Sequence, residues 1–279
     1  MQGPGRILAF FTALAGLLTV SCRSLVLEDR TPCPSFLFFH VEDTGGLPMD
    51  EEVVVEVRET MGMNILASDK VSFEKMDRRS YFMEVLKSRE ILATGLSGVK
   101  NARRDGTRWT VREGMEWDRI YRFSEKAPAS GEETHIPEWM KKEHSVVTVR
   151  FNSADGGFPY YVVARSGTCG LDMVSGKPVP GEFSFRPDEG TEGEFSFTVP
   201  RQADLSLSLE LWAKPGNPAL LEEGLVDRIV LWDALSKIPG FSWELENLMD
   251  ISVDIDYVRS QVTVTVNDWM LGATIDYRI

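Results

Sequence analysis

Three histidines, three cysteines and one pair of aspartates are the side chains of this 279-residue chain with the most chemical potential. His40, His135 and His144 are scattered, and no two of them stand at the spacing of a His-Glu-x-x-His metal helix. The chain has no Gly-x-Ser-x-Gly nucleophile turn, no phosphate loop and no Cys-x-x-Cys pair. Asp254 and Asp256 lie two apart in an alternating run. On a strand that places them on one face, roughly 6.5–7 Å apart, inside the range of paired glycosidase carboxylates. Their setting on the outer face of a hairpin instead favours simple hydration. The acidic loop Asp188–Glu194 lacks EF-hand spacing and reads as solvated. Trp212, Trp232, Trp243 and Trp269 read as core and capping residues. No catalytic residue, metal site or cofactor is expected.

Cys22 is different. Arg6 precedes an uncharged apolar run, Ile7–Val20, which ends in Ser21-Cys22. A basic start, a short apolar middle and a small residue before the cut define a secretory signal, here residues 1–21. The run is too short to span a bilayer as a helix. Thr19-Val20-Ser21-Cys22 resembles a bacterial lipobox, with Thr19 where Leu is usual. Acylation of the Cys22 thiol is therefore expected, which would tether the mature chain to a membrane. Acyl chains bury ~0.8 kcal/mol per CH₂ and need no electrostatic help. The formal net charge of −13 argues against nucleic acid as a partner and against electrostatic adsorption to anionic lipid. An exported chain allows disulfides, so Cys33 and Cys169 either pair or remain two separate thiols.

The elements that must carry these residues are strands. Residues 22–34 form a charged, Pro-containing tether. Ser35–Val41, Glu52–Arg58, Val71–Met76, Tyr81–Leu86 and Ile91–Leu96 follow at the 8–12-residue rhythm of a β-sandwich. Lys100–Thr110 reads as a basic loop, and Asp118–Phe123 as one more strand. Polar Ser124–Glu133 reads as the boundary region, which gives an N-terminal domain over 35–140 and a C-terminal domain over 141–279. Beyond it, Ser145–Phe151, Glu194–Val199, Asp204–Trp212, Asp250–Tyr257 and Gln261–Asp268 alternate apolar and polar residues, so one face of each is buried. Leu231–Ile238 is the one helix-like piece, and Ala273–Ile279 a last strand.

The block Asp227–Trp269 combines Leu231, Pro239-Gly240, Ser242-Trp243, Asp250-Ile251, Val253, Ile255-Asp256-Tyr257 and Val262 to Trp269. With Asp29–Pro34 and Phe36–Phe39, it resembles the FimB-type fimbrial anchor family of Bacteroidetes lipoproteins. That resemblance implies an all-β chain of two transthyretin-like β-sandwich domains in tandem. It also implies a non-enzymatic type V pilus subunit, lipid-anchored in the cell outer membrane at the fimbrium base, with fimbrial pilin subunits as partners. Capture by β-strand pairing is the expected binding mode, and Thr274, Ile275, Asp276 and Tyr277 are the candidate pairing strand. A surface lipoprotein that binds glycan or peptide is the alternative.

Overall fold

The computed structural model describes residues 33–87, 90–152, 160–191, 193–214, 224–256, 261–266 and 273–275. The signal segment, Cys22, nearly all of the tether, Trp269, Asp276 and Tyr277 lie outside them. Within them the chain is all-β, built as two sandwiches.

The first sandwich opens with β1 (Pro34–Asp43), β2 (Glu52–Glu59) and β3 (Ile65–Ser72), then a short helix α1 (Phe73–Asp77), β4 (Phe82–Leu86) and β5 (Ile91–Ser97). After the pair β6 (Arg103–Asp105) and β7 (Arg108–Thr110) come β8 (Tyr121–Ala127), β9 (Glu133–Trp139) and β10 (Lys141–Lys142). A three-stranded sheet β4-β1-β9 faces a five-stranded sheet β10-β8-β5-β2-β3. Period-two alternation sends Leu37, Phe39, Val53, Val55, Val57, Met83, Val85 and Ile136 into the shared core. The turn after β1 needs Gly45: its φ is +58°, and a Cβ there would lie 2.2 Å from the Met140 carbonyl oxygen.

The second sandwich contains β11 (His144–Asn152), β12 (Tyr160–Asp172), β13 (Pro178–Phe185), β14 (Glu194–Pro200), β15 (Ser208–Ala213) and β16 (Leu225–Val230). A helical turn α2 (Trp232–Leu235), then β17 (Ile251–Asp256), β18 (Gln261–Val266) and β19 (Ala273–Ile275) complete it. One sheet runs β14-β11-β17-β18-β19 and the other β16-β15-β12-β7-β6, with β13 also on β12. Phe195, Phe197, Val199, Leu207, Leu209, Leu211, Ile251, Val253 and Ile255 fill its core.

Four expectations fail, each for a local or a long-range reason. Val71–Met76 is not one strand. β3 ends at Ser72, and Phe73 and Met76, three apart, both reach zero exposure through one helical turn. Asp204–Trp212 is a strand only from Ser208: Asp204 Oδ1 accepts hydrogen bonds from the Ser206 N–H and hydroxyl, and Leu205 turns outward. Lys100–Thr110 is not all loop. β6 and β7 form a hairpin that crosses to the second sandwich, with Thr110 opposite Gly170 and Trp109 opposite Leu171. The crossing buries a third core of Leu96, Ala102, Trp117, Ile120, Leu171 and Met173 at the junction. Nor does Ser124–Glu133 separate two units, because Ser124–Ala127 finishes β8 and Glu133 begins β9.

Candidate functional site

Of the described residues singled out for chemistry, only His40 and His135 come together. Asp254 points outward on β17, 3.9 Å from Arg150 Nη1, and Arg150 in turn holds Glu194 at 3.0 Å. In the acidic loop, Glu189 carries an ion pair with Lys214 and accepts the Gly193 N–H. Among the described residues no three His, Cys, Asp or Glu side chains converge as metal ligands would. Cys33 is an exposed free thiol just before β1, and Cys169 a half-buried free thiol on β12. The two thiols are not joined: Cys33 precedes β1 of the first sandwich, whereas Cys169 lies on β12 of the second. Burial raises the Cys169 thiol pKa.

Of the tryptophans, Trp243 belongs to the second core and Trp232 packs against it. Trp212 instead lies partly open on β15, its ring parallel to Tyr161 at 6.3 Å. His40 and His135, far apart in sequence, stack face to face at 4.9 Å on neighbouring strands. Sequence reading missed that pair because β1 and β9 meet in parallel, across the rest of the first sandwich.

Charge is concentrated at the junction. Glu143 is 1% exposed and lies between two guanidinium groups. Arg122 Nε donates to its Oε1 at 2.9 Å and Arg201 Nε to its Oε2 at 2.7 Å. Arg201 also donates to the carbonyls of Trp243 and Leu245. Trp117 Nε1 donates to the Glu143 carbonyl at 3.2 Å. One carboxylate is shared by two guanidinium groups, and backbone carbonyls accept Arg201's remaining donors, so each buried cation has an acceptor, the condition under which such a cluster is tolerated. Gly176, at φ +69°, leaves room for Arg122: a Cβ would lie 1.7 Å from Nη2. Asp118 braces the adjoining loop by accepting the N–H groups of Lys100, Asn101 and Ala102. His144 is 2% exposed with Nδ1 3.0 Å from the Ile120 carbonyl, and desolvation pulls its pKa down to about 4, so the ring is neutral. A cleft of about 510 Å³ opens beside this cluster, lined by Lys141, Lys177, Gln202, Glu244 and Glu246 among others. Its walls are charged, and Lys141 is already paired with Glu246.

Strand pairing offers more than these side chains do. Thr274 and Ile275 lie in β19, opposite Thr263 and Val262 of β18. The candidate strand thus completes its own sheet. It also forms that sheet's edge: among the described residues no strand pairs with its other side. β16, with Leu225 and Val226 nearly half exposed, is an edge of the opposite sheet. An open edge is a row of backbone donors and acceptors ready for an extended partner.

No protein-family profile and no curated protein sequence matches the chain. Solved structures do. The fimbrial anchor protein Mfa2 from Porphyromonas gingivalis is 11% identical and superposes with a TM-score of 0.60 over 87% of this chain and all of that one (100%). A Bacteroides thetaiotaomicron protein provisionally described as polysaccharide-binding gives 0.62 at 14% identity over 87% and 98% of the two chains. A second protein of that organism, provisionally described as an adhesin, gives 0.59 at 11% identity over 88% and 100%. At such identities the likeness is one of fold, and the chain has the two-sandwich fold of these proteins.

Proposed function

We propose that the protein is a fimbrial anchor subunit, held at the outer membrane by an acylated Cys22, which captures a pilin by β-strand pairing. The observation that carries this reading is the open edge of β19, in a sheet whose fold is shared with a fimbrial anchor protein. The lipobox-like Thr19–Cys22 supports the membrane tether. The engagement of Asp254 and Glu189 in surface ion pairs supports a binding role rather than a catalytic one. Backbone pairing supplies the affinity, so the contact tolerates side-chain changes but not blockage of the edge.

Two measurements test it. Cys22→Ala should move the protein from the membrane fraction to the soluble one, and retention in membranes would defeat the tether. The chain from Arg23 onward should capture a pilin, whereas Thr274→Pro and Ile275→Pro remove a ladder donor and should abolish capture. Unchanged capture by both proline variants, with intact melting, would place the contact on another edge, with β16 next in line.

A further inference from the structure

The outer face of the three-stranded sheet is aromatic. Leu37, Phe39, Met83, Val85 and Ile136 take the inward positions, so their neighbours along each strand point out. Register then sets the rows: Phe38 lies opposite Phe82 on one side and His135 on the other, and Pro34 opposite Leu86. The rings touch in an unbroken series. Phe36 meets Phe82 edge-on at 6.0 Å, Phe82 meets Phe38 at 5.7 Å, Phe38 stacks on His135 at 5.4 Å, and His135 stacks on His40 at 4.9 Å. Phe82 is 48% exposed and Leu86 73%. On β9 the same outward row continues to the half-exposed Trp139. Single apolar residues on a surface are ordinary, but a contiguous group marks a contact site.

We propose that this face lies against the lipid surface to which Cys22 tethers the chain, an inference that rests on the anchor reading above. Three observations select lipid. The first is position: twelve peptide steps separate Cys22 from Pro34, a reach of at most about 40 Å. Pro34, where β1 begins, is paired with Leu86, so the most exposed part of the face adjoins the exit toward the anchor. The second is charge: a chain of net charge −13 gains nothing electrostatically from anionic headgroups, nor from a second copy of itself, so its contact with a bilayer must be apolar. The third is chemistry. Aromatic rings settle at the headgroup level, the interfacial belt where Trp and Tyr collect. Glu84 and Glu133 flank Phe36 and keep the face at that level rather than deeper. The acyl tether makes the adsorption intramolecular, so a weak apolar contact suffices.

The test has two arms. In Cys33→Ser, Cys169→Ser chains carrying Leu86→Cys or, as reference, Leu225→Cys, the thiols are labelled with a charged maleimide in isolated membranes. The thiol at 86 should react several-fold more slowly than that at 225, and equally fast once detergent dissolves the bilayer. Equal rates in membranes overturn the proposal, as does protection that survives detergent, which would mean a protein cover. The second arm keeps the acyl group and removes the rings. In the same membranes the Leu86→Cys chain carrying Phe36→Ser and Phe82→Ser, with its melting unchanged, should lose the protection, so that the thiol at 86 reacts about as fast as that at 225. Protection at 86 unaffected by loss of the two rings sinks the face. Failure of Cys22→Ala to change fractionation would sink the anchor instead.

Discussion

Glu138 and Glu143 are equally buried, five residues apart, and opposite in character. Glu138 stands on β9 opposite Val41, 0% exposed, and neither carboxylate oxygen has a hydrogen-bond partner. Burial alone pushes its pKa up to about 9, so at neutral pH it is a protonated, uncharged acid in the first core. Glu143 instead meets two guanidinium partners. The difference lies in the donors that arrive with the buried acid. Within a sandwich, β9 brings none. At the junction, where strands of both sandwiches meet, β8 brings Arg122 and the end of β14 brings Arg201.

The comparison can be broken most forcefully at the junction. Glu143→Ala leaves two guanidinium groups buried without counter-charge and should cost about 3–5 kcal/mol, a large share of the ~5–15 kcal/mol of a whole domain. A urea midpoint near that of wild type would show the arginines to be hydrated. Glu138 should respond to pH instead. Its folded value, about 9, lies above the ordinary 4.5, so its stabilising share is full below 4.5 and lost as pH climbs toward 9. The slope is about 1.4 kcal/mol per pH unit. Glu138→Gln should flatten that slope and be the more stable protein at pH 8; parallel stability curves would mean that Glu138 ionises in the fold. His144 has the reverse sign. Its folded value, about 4, lies below 6.5, so its contribution is full above pH 6.5 and lost as pH falls toward 4. His144→Gln should narrow the loss of stability between pH 6.5 and 5, and an unchanged acid limb would show the ring already protonated in the native state. The smallest effect belongs to the pair Lys70–Glu52, whose side chains are both 59% exposed. Lys70→Ala should change stability by about 0.5 kcal/mol or less, and a larger loss would undo the distinction between compensated charge in water and in the interior.

Neither glutamate announces itself in the sequence. His-Ile-Pro-Glu-Trp and Lys-Lys-Glu-His read as ordinary surface stretches, because what distinguishes them is supplied by strands that arrive from elsewhere. Legibility followed the same rule throughout. Glu52–Arg58, Ser145–Phe151 and Asp250–Asp256 carry an apolar residue at every second position, and the strands Glu52–Glu59, His144–Asn152 and Ile251–Asp256 turn those residues inward. The hairpin β6–β7 was hidden, since its three-residue strands exist only against β12. The aromatic face was hidden for the opposite reason. Ser35–Val41 is apolar on both sides, and a continuous apolar run cannot tell an open face from a buried one. As to the candidate site, Thr274 and Ile275 fell in an edge strand, whereas Cys22, Asp276 and Tyr277 lie outside the described residues.

The crossing hairpin also sets an order of assembly. A chain that emerges from its amino end delivers β7 about 60 residues before Gly170–Asp172, the part of β12 it must join. Until Met173 is present, Trp109 and Trp117 lack the full Leu171 and Met173 cover. The junction therefore closes through contacts of long sequence separation, the slow kind. Maturation is complete only when both halves have been delivered, and a chain cut between them would hold its unfinished seam open to proteases and to other chains.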